Sequence, residues 1–316
     1  MIISILLVLL GFVLLIKGAD WMISGASVLA KKNNISDLVI GLTIVAFGTS
    51  APELVVSSVA AVQGHSGIIL GNVIGSNIFN LFLILGIVGV ISPINVQSAT
   101  VWKEIPISLL AALLVLLLGN TFLGQANAYF SLIDGLILLG FFLLFLVYIY
   151  RSMKSETIVS EVQPMQMSNL KIVMFIVIGL AGLVIGGRLV VDNAVSIAKY
   201  LKISEKIIGL TIVAAGTSLP ELVTSVVAAL KGKTDMAIGN IIGSNIFNVF
   251  LILGVSAIVS PFEFNTAFNF DILVLLAGTV FLFVAMFTGK RKKLDRWEAV
   301  LLLLAFVAYT IFMLIK

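Results

Sequence analysis

Two glutamates, Glu53 and Glu221, lie in nearly identical apolar surroundings, GLTIVAFGTSAPELVVSSVAA at 41–61 and GLTIVAAGTSLPELVTSVVAA at 209–229. A carboxylate inside a hydrophobic run costs roughly 2.5–3.5 kcal/mol or more in a bilayer, so it marks a functional site. The chemistry it offers is cation binding. Thr49, Glu53 and Ser57 are four apart and Ser50 precedes Glu53 by three, which puts their oxygens on one helical face. Pro52 has no N–H and its ring clashes with the carbonyl four residues back, so the carbonyls around Gly48 and Thr49 lose their helical partners. Pro220 does the same to Gly216 and Thr217. Freed carbonyls beside a carboxylate are hard ligands, suited to Ca²⁺ with its roughly 6–8 oxygens and to Na⁺. Non-helical backbone is tolerated in a membrane only where it is buried or lines a cavity, so the break and the carboxylate support each other. The alternative role for either glutamate is a protonated side chain bonded to a neighbour.

A second repeated block follows each glutamate: GNVIGSNIFN at 71–80 and GNIIGSNIFN at 239–248. Asn72, Ser76 and Asn80 share a helical face, as do Asn240, Ser244 and Asn248, and they offer neutral oxygens opposite the carboxylates. Gly71/Gly75 and Gly239/Gly243 also form GxxxG patterns, so these blocks serve either close helix packing alone or packing together with ligation.

The elements that must carry these residues are membrane helices. The chain is 60% hydrophobic and 11% charged, with a mean hydropathy of +1.22, whereas soluble domains carry about 25% charged residues. Lipid is therefore the solvent for most of the surface. The net charge of +4 comes from basic residues between apolar segments, where they set orientation, so no nucleic-acid role follows. With no cysteine, thiolate metal sites and thiol catalysis are excluded. His65, the one histidine, sits in a short loop as a solvated side chain.

A span needs about 20 residues, and ten segments qualify: 2–30, 36–62, 68–91, 102–118, 131–150, 170–200, 205–230, 236–259, 270–287 and 297–315. The first lacks a basic leader and a small-residue cleavage site, so it reads as a retained helix. The first and sixth carry Lys17 and Arg188, which either strong tilt with snorkelling or long interfacial ends would accommodate.

Equivalent residues recur at an offset of 168: Glu53/Glu221, Thr49/Thr217, Ser76/Ser244, Asn80/Asn248, Pro93/Pro261, and upstream Gly11/Gly179 and Gly18/Gly186. A duplicated unit of five helices must enter the membrane from opposite sides in its two copies, which gives an all-α membrane protein of two inverted repeats with its site near the midplane. The expected organisation is a first five-helix repeat at 1–152, a short cytoplasmic linker at 153–168 and a second, inverted repeat at 169–316. Of 19 Lys and Arg residues, most fall on the side of the loops after helices one, three, five, seven and nine, which places both termini outside.

GTSAPE with GSNIFN, then GTSLPE with GSNIFN, resembles the α-repeats of the sodium/calcium exchanger family within the cation/calcium antiporter superfamily, over essentially the whole chain. The resemblance, to the prokaryotic type, implies a multi-pass protein of the plasma (inner) membrane that is not an enzyme and needs no cofactor. It further implies a monomeric antiporter whose transported ions are Ca²⁺ and Na⁺, with Glu53 and Glu221 holding each in turn. By motif position it implies oxygens from Thr49, Ser50, Thr217 and Ser218, carbonyls of Ala46 and Ala214, and completion of the sites by Ser76, Ser244, Asn80 and Asn248. Some relatives, including the potassium-dependent branch, carry Asp where this chain has Asn248, so Asn248 argues against K⁺ cotransport. Two formal negative charges neutralise one Ca²⁺, while three Na⁺, the number the resemblance implies, would leave one positive charge and make exchange electrogenic. Ca²⁺/H⁺ or Na⁺/H⁺ antiport through the same glutamates is the alternative. An intramembrane protease would need a catalytic aspartate pair or a Ser/His set, and Asp20, Asp134, Asp192 and Asp271 are expected at helix ends without the catalytic partners this requires. A cation channel would need a continuous pore.

Overall fold

The computed structural model describes residues 1–120, 128–155, 167–201, 214–289 and 292–315. In chain order these form α1 (Ile2–Lys32), α2 (Asp37–Thr49), α3 (Ala51–Val62), α4 (Ser66–Ile91), α5 (Thr100–Gly119), α6 (Leu132–Ser155), α7 (Asn169–Tyr200), α8 (Leu219–Leu230), α9 (Thr234–Val259), α10 (Asn269–Ala285) and α11 (Arg296–Ile315). Among the described residues eight helices are long and apolar enough to cross a membrane, and α2 with α3 makes a ninth span bent by 46°. The expected span at 205–230 reaches the described residues as α8, preceded by a helical turn at Ala214–Gly216; its start, 205–213, lies outside them. The linker's 156–166 also lies outside the described residues.

The long apolar runs separate into two kinds by burial. In α9 every residue from Met236 to Phe247 is buried, and 83% of its spanning window is inside the protein, against 17% for α11. With 72% of its window likewise inside, α4, the counterpart of α9, joins it in the middle of the bundle. Helices α1, α6, α7 and α11 present rows of exposed Ile, Leu, Val and Phe, the surface expected against lipid.

Helices α1 and α7 pack antiparallel along their whole length, backbone against backbone. A Cβ on Gly18 would sit 2.6 Å from the Gly179 carbonyl oxygen, and one on Gly11 2.8 Å from that of Gly186. Small residues at seven-residue spacing thus let two membrane helices touch where larger ones would hold them apart. Both helices exceed thirty residues, as expected, and Lys17 and Arg188 are exposed on their outer faces. Asp20 and Asp192, expected at helix ends, lie inside α1 and α7, because these helices continue well beyond the apolar run.

Two short antiparallel pairs close the ends of the bundle: β1 (Ile94–Asn95) with β4 (Lys293–Leu294), and β2 (Tyr129–Phe130) with β3 (Phe262–Glu263). Ile94 and Phe262 differ by 168, whereas Tyr129 and Lys293 differ by 164. The offset therefore drops by four before the last helix of each half.

Candidate cation site

The site is built where the second span breaks. Helix α2 ends at Thr49, Ser50 takes φ −83° and ψ 3°, and α3 restarts at Ala51 with Pro52 in its first turn. Proline is suited there because the N–H it lacks would have no intrahelical partner anyway. Glu53 thus occupies the first turn of a new helix, where the amide dipoles favour an anion. In the other half Ser218 takes φ −88° and ψ 7°, α8 begins at Leu219, and Pro220 and Glu221 fill its first turn. The break predicted from the prolines is present. Ala46, however, is not a freed carbonyl: its oxygen accepts the Ser50 N–H at 3.0 Å and lies 3.4 Å from Thr49 Oγ1. The helical turn beginning at Ala214 holds the corresponding backbone.

The two breaks meet. Ser50 Oγ donates to Glu221 Oε1 at 3.1 Å, and Ser218 Oγ lies 3.4 Å from Glu53 Oε1 and 3.0 Å from Ser76 Oγ. Thr49 Oγ1 donates to Asn240 Oδ1 at 3.1 Å, and Thr217 Oγ1 to Asn72 Oδ1 at 3.3 Å. Each of these asparagines in turn braces the break of its own half: Asn72 Nδ2 reaches Ser57 Oγ at 2.9 Å, and Asn240 Nδ2 reaches Ser225 Oγ at 2.9 Å. Glu53 and Glu221 are each 1% exposed.

The second pair of blocks carries Asn80 and Asn248 at π-helical turns, Phe79–Ile84 in α4 and Asn248–Leu253 in α9. Such turns often occur at functional positions because they interrupt the regular bonding ladder. The turn bearing Asn248 packs against α3, which carries Glu53, and the turn bearing Asn80 packs against α8, which carries Glu221. All twelve residues expected to ligate are therefore on elements that converge at the bundle centre. The close-packing reading of GxxxG holds for the second copy, where a Cβ on Gly239 would lie 2.6 Å from the Leu38 carbonyl oxygen, but not for the first, where one on Gly75 would meet nothing within 4 Å and one on Gly71 only the Phe268 ring at 3.9 Å.

Five side-chain oxygens here are buried and lack a hydrogen-bond partner: Glu53 Oε2, Glu221 Oε2, Asn80 Oδ1, Asn248 Oδ1 and Ser244 Oγ. An unsatisfied buried polar atom ordinarily costs about 1–3 kcal/mol, more when charged, so five converging together make a set of acceptors suited to a positive ion. Among the described residues no group of three or more His, Cys, Asp or Glu side chains gathers anywhere, so the centre relies on two carboxylates and neutral oxygens.

Sequence reasoning missed Asn77 and Asn245. Both are buried, and they bridge the halves by donating from Nδ2 to each other's main-chain oxygen at 3.2 and 3.4 Å. The offset that pairs the other site residues pairs these too, but one position past Ser76 and Ser244 they fall off the helical face shared by the residues singled out. Of the four aspartates weighed against a protease, Asp20 pairs with Lys231 at 2.6 Å, Asp134 caps α6 through Ser131, Asp271 accepts from Tyr309, and Asp192 is exposed on α7.

An all-helical membrane protein with interrupted helices meeting at buried carboxylates has the build of a secondary ion transporter. The sequence profile of the sodium/calcium exchanger protein family matches residues 3–151 and again 171–315. CaxA of Alkalimonas amylolytica, named as an antiporter, is 41% identical over 98% of each chain, and the sodium/calcium exchanger MaX1 of Methanosarcina acetivorans is 34% identical over 98% of each. The solved structure of the sodium-calcium exchanger NCX_Mj soaked with Na⁺ and Sr²⁺ aligns with a TM-score of 0.82 at 36% identity, over 97% of each chain. The chain belongs to the sodium/calcium exchanger protein family.

Proposed function

We propose that this protein is a K⁺-independent antiporter that exchanges Ca²⁺ for Na⁺ by alternating access, with the site at the meeting of two inverted five-helix repeats, 1–152 and 169–316. The observation that carries this reading is the set of five unpartnered buried oxygens, two of them on carboxylates, on elements from both halves. Glu53 and Glu221 supply the charge. Thr49, Ser50, Thr217, Ser218, Ser76, Ser244, Asn80 and Asn248, with the carbonyls of Ala46 and Ala214, supply neutral oxygens.

Competition follows from the charge balance. Two carboxylates cannot hold Ca²⁺ and a full Na⁺ load together, and an empty pair leaves two charges uncompensated at low dielectric, which costs several kcal/mol. Switching access is therefore favoured when the site is loaded. The paired helices α1 and α7, touching through glycine, are the elements placed to slide across the two breaks. Asn248, neutral where the potassium-dependent branch has an acid, supports independence from K⁺. The basic loops support a cytoplasmic face at the ends of α1 and α8 and both termini outside; the plasma membrane as location and the monomer as working unit complete the proposal.

The deciding experiment follows Ca²⁺ uptake into proteoliposomes loaded either with Na⁺ or with an acidic interior. Uptake driven by the Na⁺ gradient, unchanged by external or internal K⁺, is expected; uptake driven by protons alone would replace this reading with Ca²⁺/H⁺ exchange.

A further inference from the structure

A carboxamide presents an oxygen at one end and an NH₂ of nearly the same shape at the other, and only the oxygen can meet a cation. Something must therefore decide which end of Asn80 and of Asn248 faces the site. We propose that Asn77 and Asn245 make that decision and are the positioning residues of the cation site, an inference that rests on the ion-binding reading above.

The bonds form a closed circuit across the two halves. Asn80 Nδ2 donates to Asn245 Oδ1 at 3.1 Å, and Asn248 Nδ2 donates to Asn77 Oδ1 at 2.9 Å. With each nitrogen committed, the opposite end of each amide, Oδ1, is left buried and without a partner. Asn77 and Asn245 cannot turn over in their place, because each gives its own Nδ2 to the main-chain oxygen of the other, at 3.2 and 3.4 Å. A carbonyl only accepts, so turning either side chain would set two oxygens against each other at its backbone end and two NH₂ groups against each other at the end facing the ligating amide. The orientation of the ligating amides is thereby referred back to the backbone, which has no alternative.

All four amides are nine-tenths or more buried, so water does not compete for the bonds. The arrangement is reciprocal: each half orients the ligand of the other, and neither asparagine of the liganding pair is set by its own helix. It also discriminates between side chains at 248. An ionised Asp there would bring an acceptor against Asn77 Oδ1, where Asn248 brings a donor, so the circuit as built selects an amide over an acid and keeps the centre at two negative charges.

The test is a pair of double-mutant cycles read by isothermal titration of Ca²⁺ into the purified full-length protein. Asn77→Leu is expected to weaken Ca²⁺ binding roughly tenfold, as when one oriented oxygen is lost, but to add less than twofold in an Asn248→Leu background, because there is no longer an amide to orient. Equal, additive losses in both backgrounds would overturn the proposal and leave Asn77 a packing residue. Asn245→Leu with Asn80→Leu is the mirror cycle and decides the matter if Asn77→Leu does not yield folded protein, as judged by its melting temperature. Titration needs no driving ion, so proton-driven uptake in the vesicle experiment would sink Na⁺ exchange without touching this result, and additive cycles would sink the positioning role without touching exchange.

Discussion

Around Glu53 and Glu221 nearly every bond occurs twice. Thr49 to Asn240 is matched by Thr217 to Asn72, Ser50 to Glu221 by Ser218 to Glu53, and Asn80 to Asn245 by Asn248 to Asn77. Two places break the match. Ser218 approaches Ser76 at 3.0 Å, but Ser244, the counterpart of Ser76, has no partner. Farther out, Lys231 at the end of α8 pairs with Asp20 of α1 and bonds Ser24, whereas the equivalent positions are Gln63 and Arg188, which cannot form an ion pair. The difference teaches that the duplication is kept bond for bond at the breaks and the amides where the halves meet, is loosened at a single serine there, and is lost farther out.

The comparison can be broken most severely at the carboxylates. Glu53→Gln and Glu221→Gln should each abolish Ca²⁺ uptake in vesicles, since either leaves one negative charge for a divalent ion; near-normal flux in one variant alone would mean the halves are not equal partners.

That much was legible in the sequence. Glu53 and Glu221 announced themselves because a charge in an apolar run has few other reasons to be there, and the constant offset located Thr49, Ser76 and their mates without any structure. The broken span followed from Pro52. The amide circuit was not legible, because helical spacing shows which residues share a face on one helix but not which residues on another helix answer them. Nor were the strand pairs, two residues each, since alternation needs a longer run to register. The drop of the offset from 168 to 164 passed unseen because apolar α6 and α11 carry few distinctive residues to align.

The next largest effect tests the seam between the halves. Gly179→Val would place a Cβ 2.6 Å from the Met22 nitrogen and 2.7 Å from the Gly18 carbonyl oxygen, both backbone atoms that cannot turn aside. A loss of about 1–3 kcal/mol from overpacking is expected, seen as a lower melting temperature. Gly140→Ala, on α6 with nothing within 4 Å, should leave the melting temperature unchanged or raise it slightly.

A smaller effect should sharpen the imbalance at the serines. Ser218 spans Glu53 and Ser76 while Ser50 reaches only Glu221. At about 1 kcal/mol per hydrogen bond, Ser218→Ala should raise the half-saturating Ca²⁺ concentration several-fold more than Ser50→Ala; equal effects would show the asymmetry to be without consequence. Smallest of all, Lys231→Gln copies the residue of the other half. The pair it removes is 33% exposed at Lys231 and 42% at Asp20, so solvent screening limits it to about 0.5 kcal/mol, or roughly a twofold change. Faster Ca²⁺ flux at saturating ion concentrations is the expected reading, because α1 loses a tie to α8.

The short strand pairs bear on how such a protein can deform at all. Each joins a connection of one half to a connection of the other, β1 to β4 and β2 to β3, at opposite ends of the bundle. In mechanical terms they are cross-ties on a frame, fastening α4, α5 and α6 to α9, α10 and α11 at both ends. Helices α1 and α7 carry no strand tie among the described residues and bear on each other through bare backbone. The pair α1 and α7 is thus the part of the frame left without a cross-tie, and the part whose displacement would strain the fewest main-chain bonds between the halves.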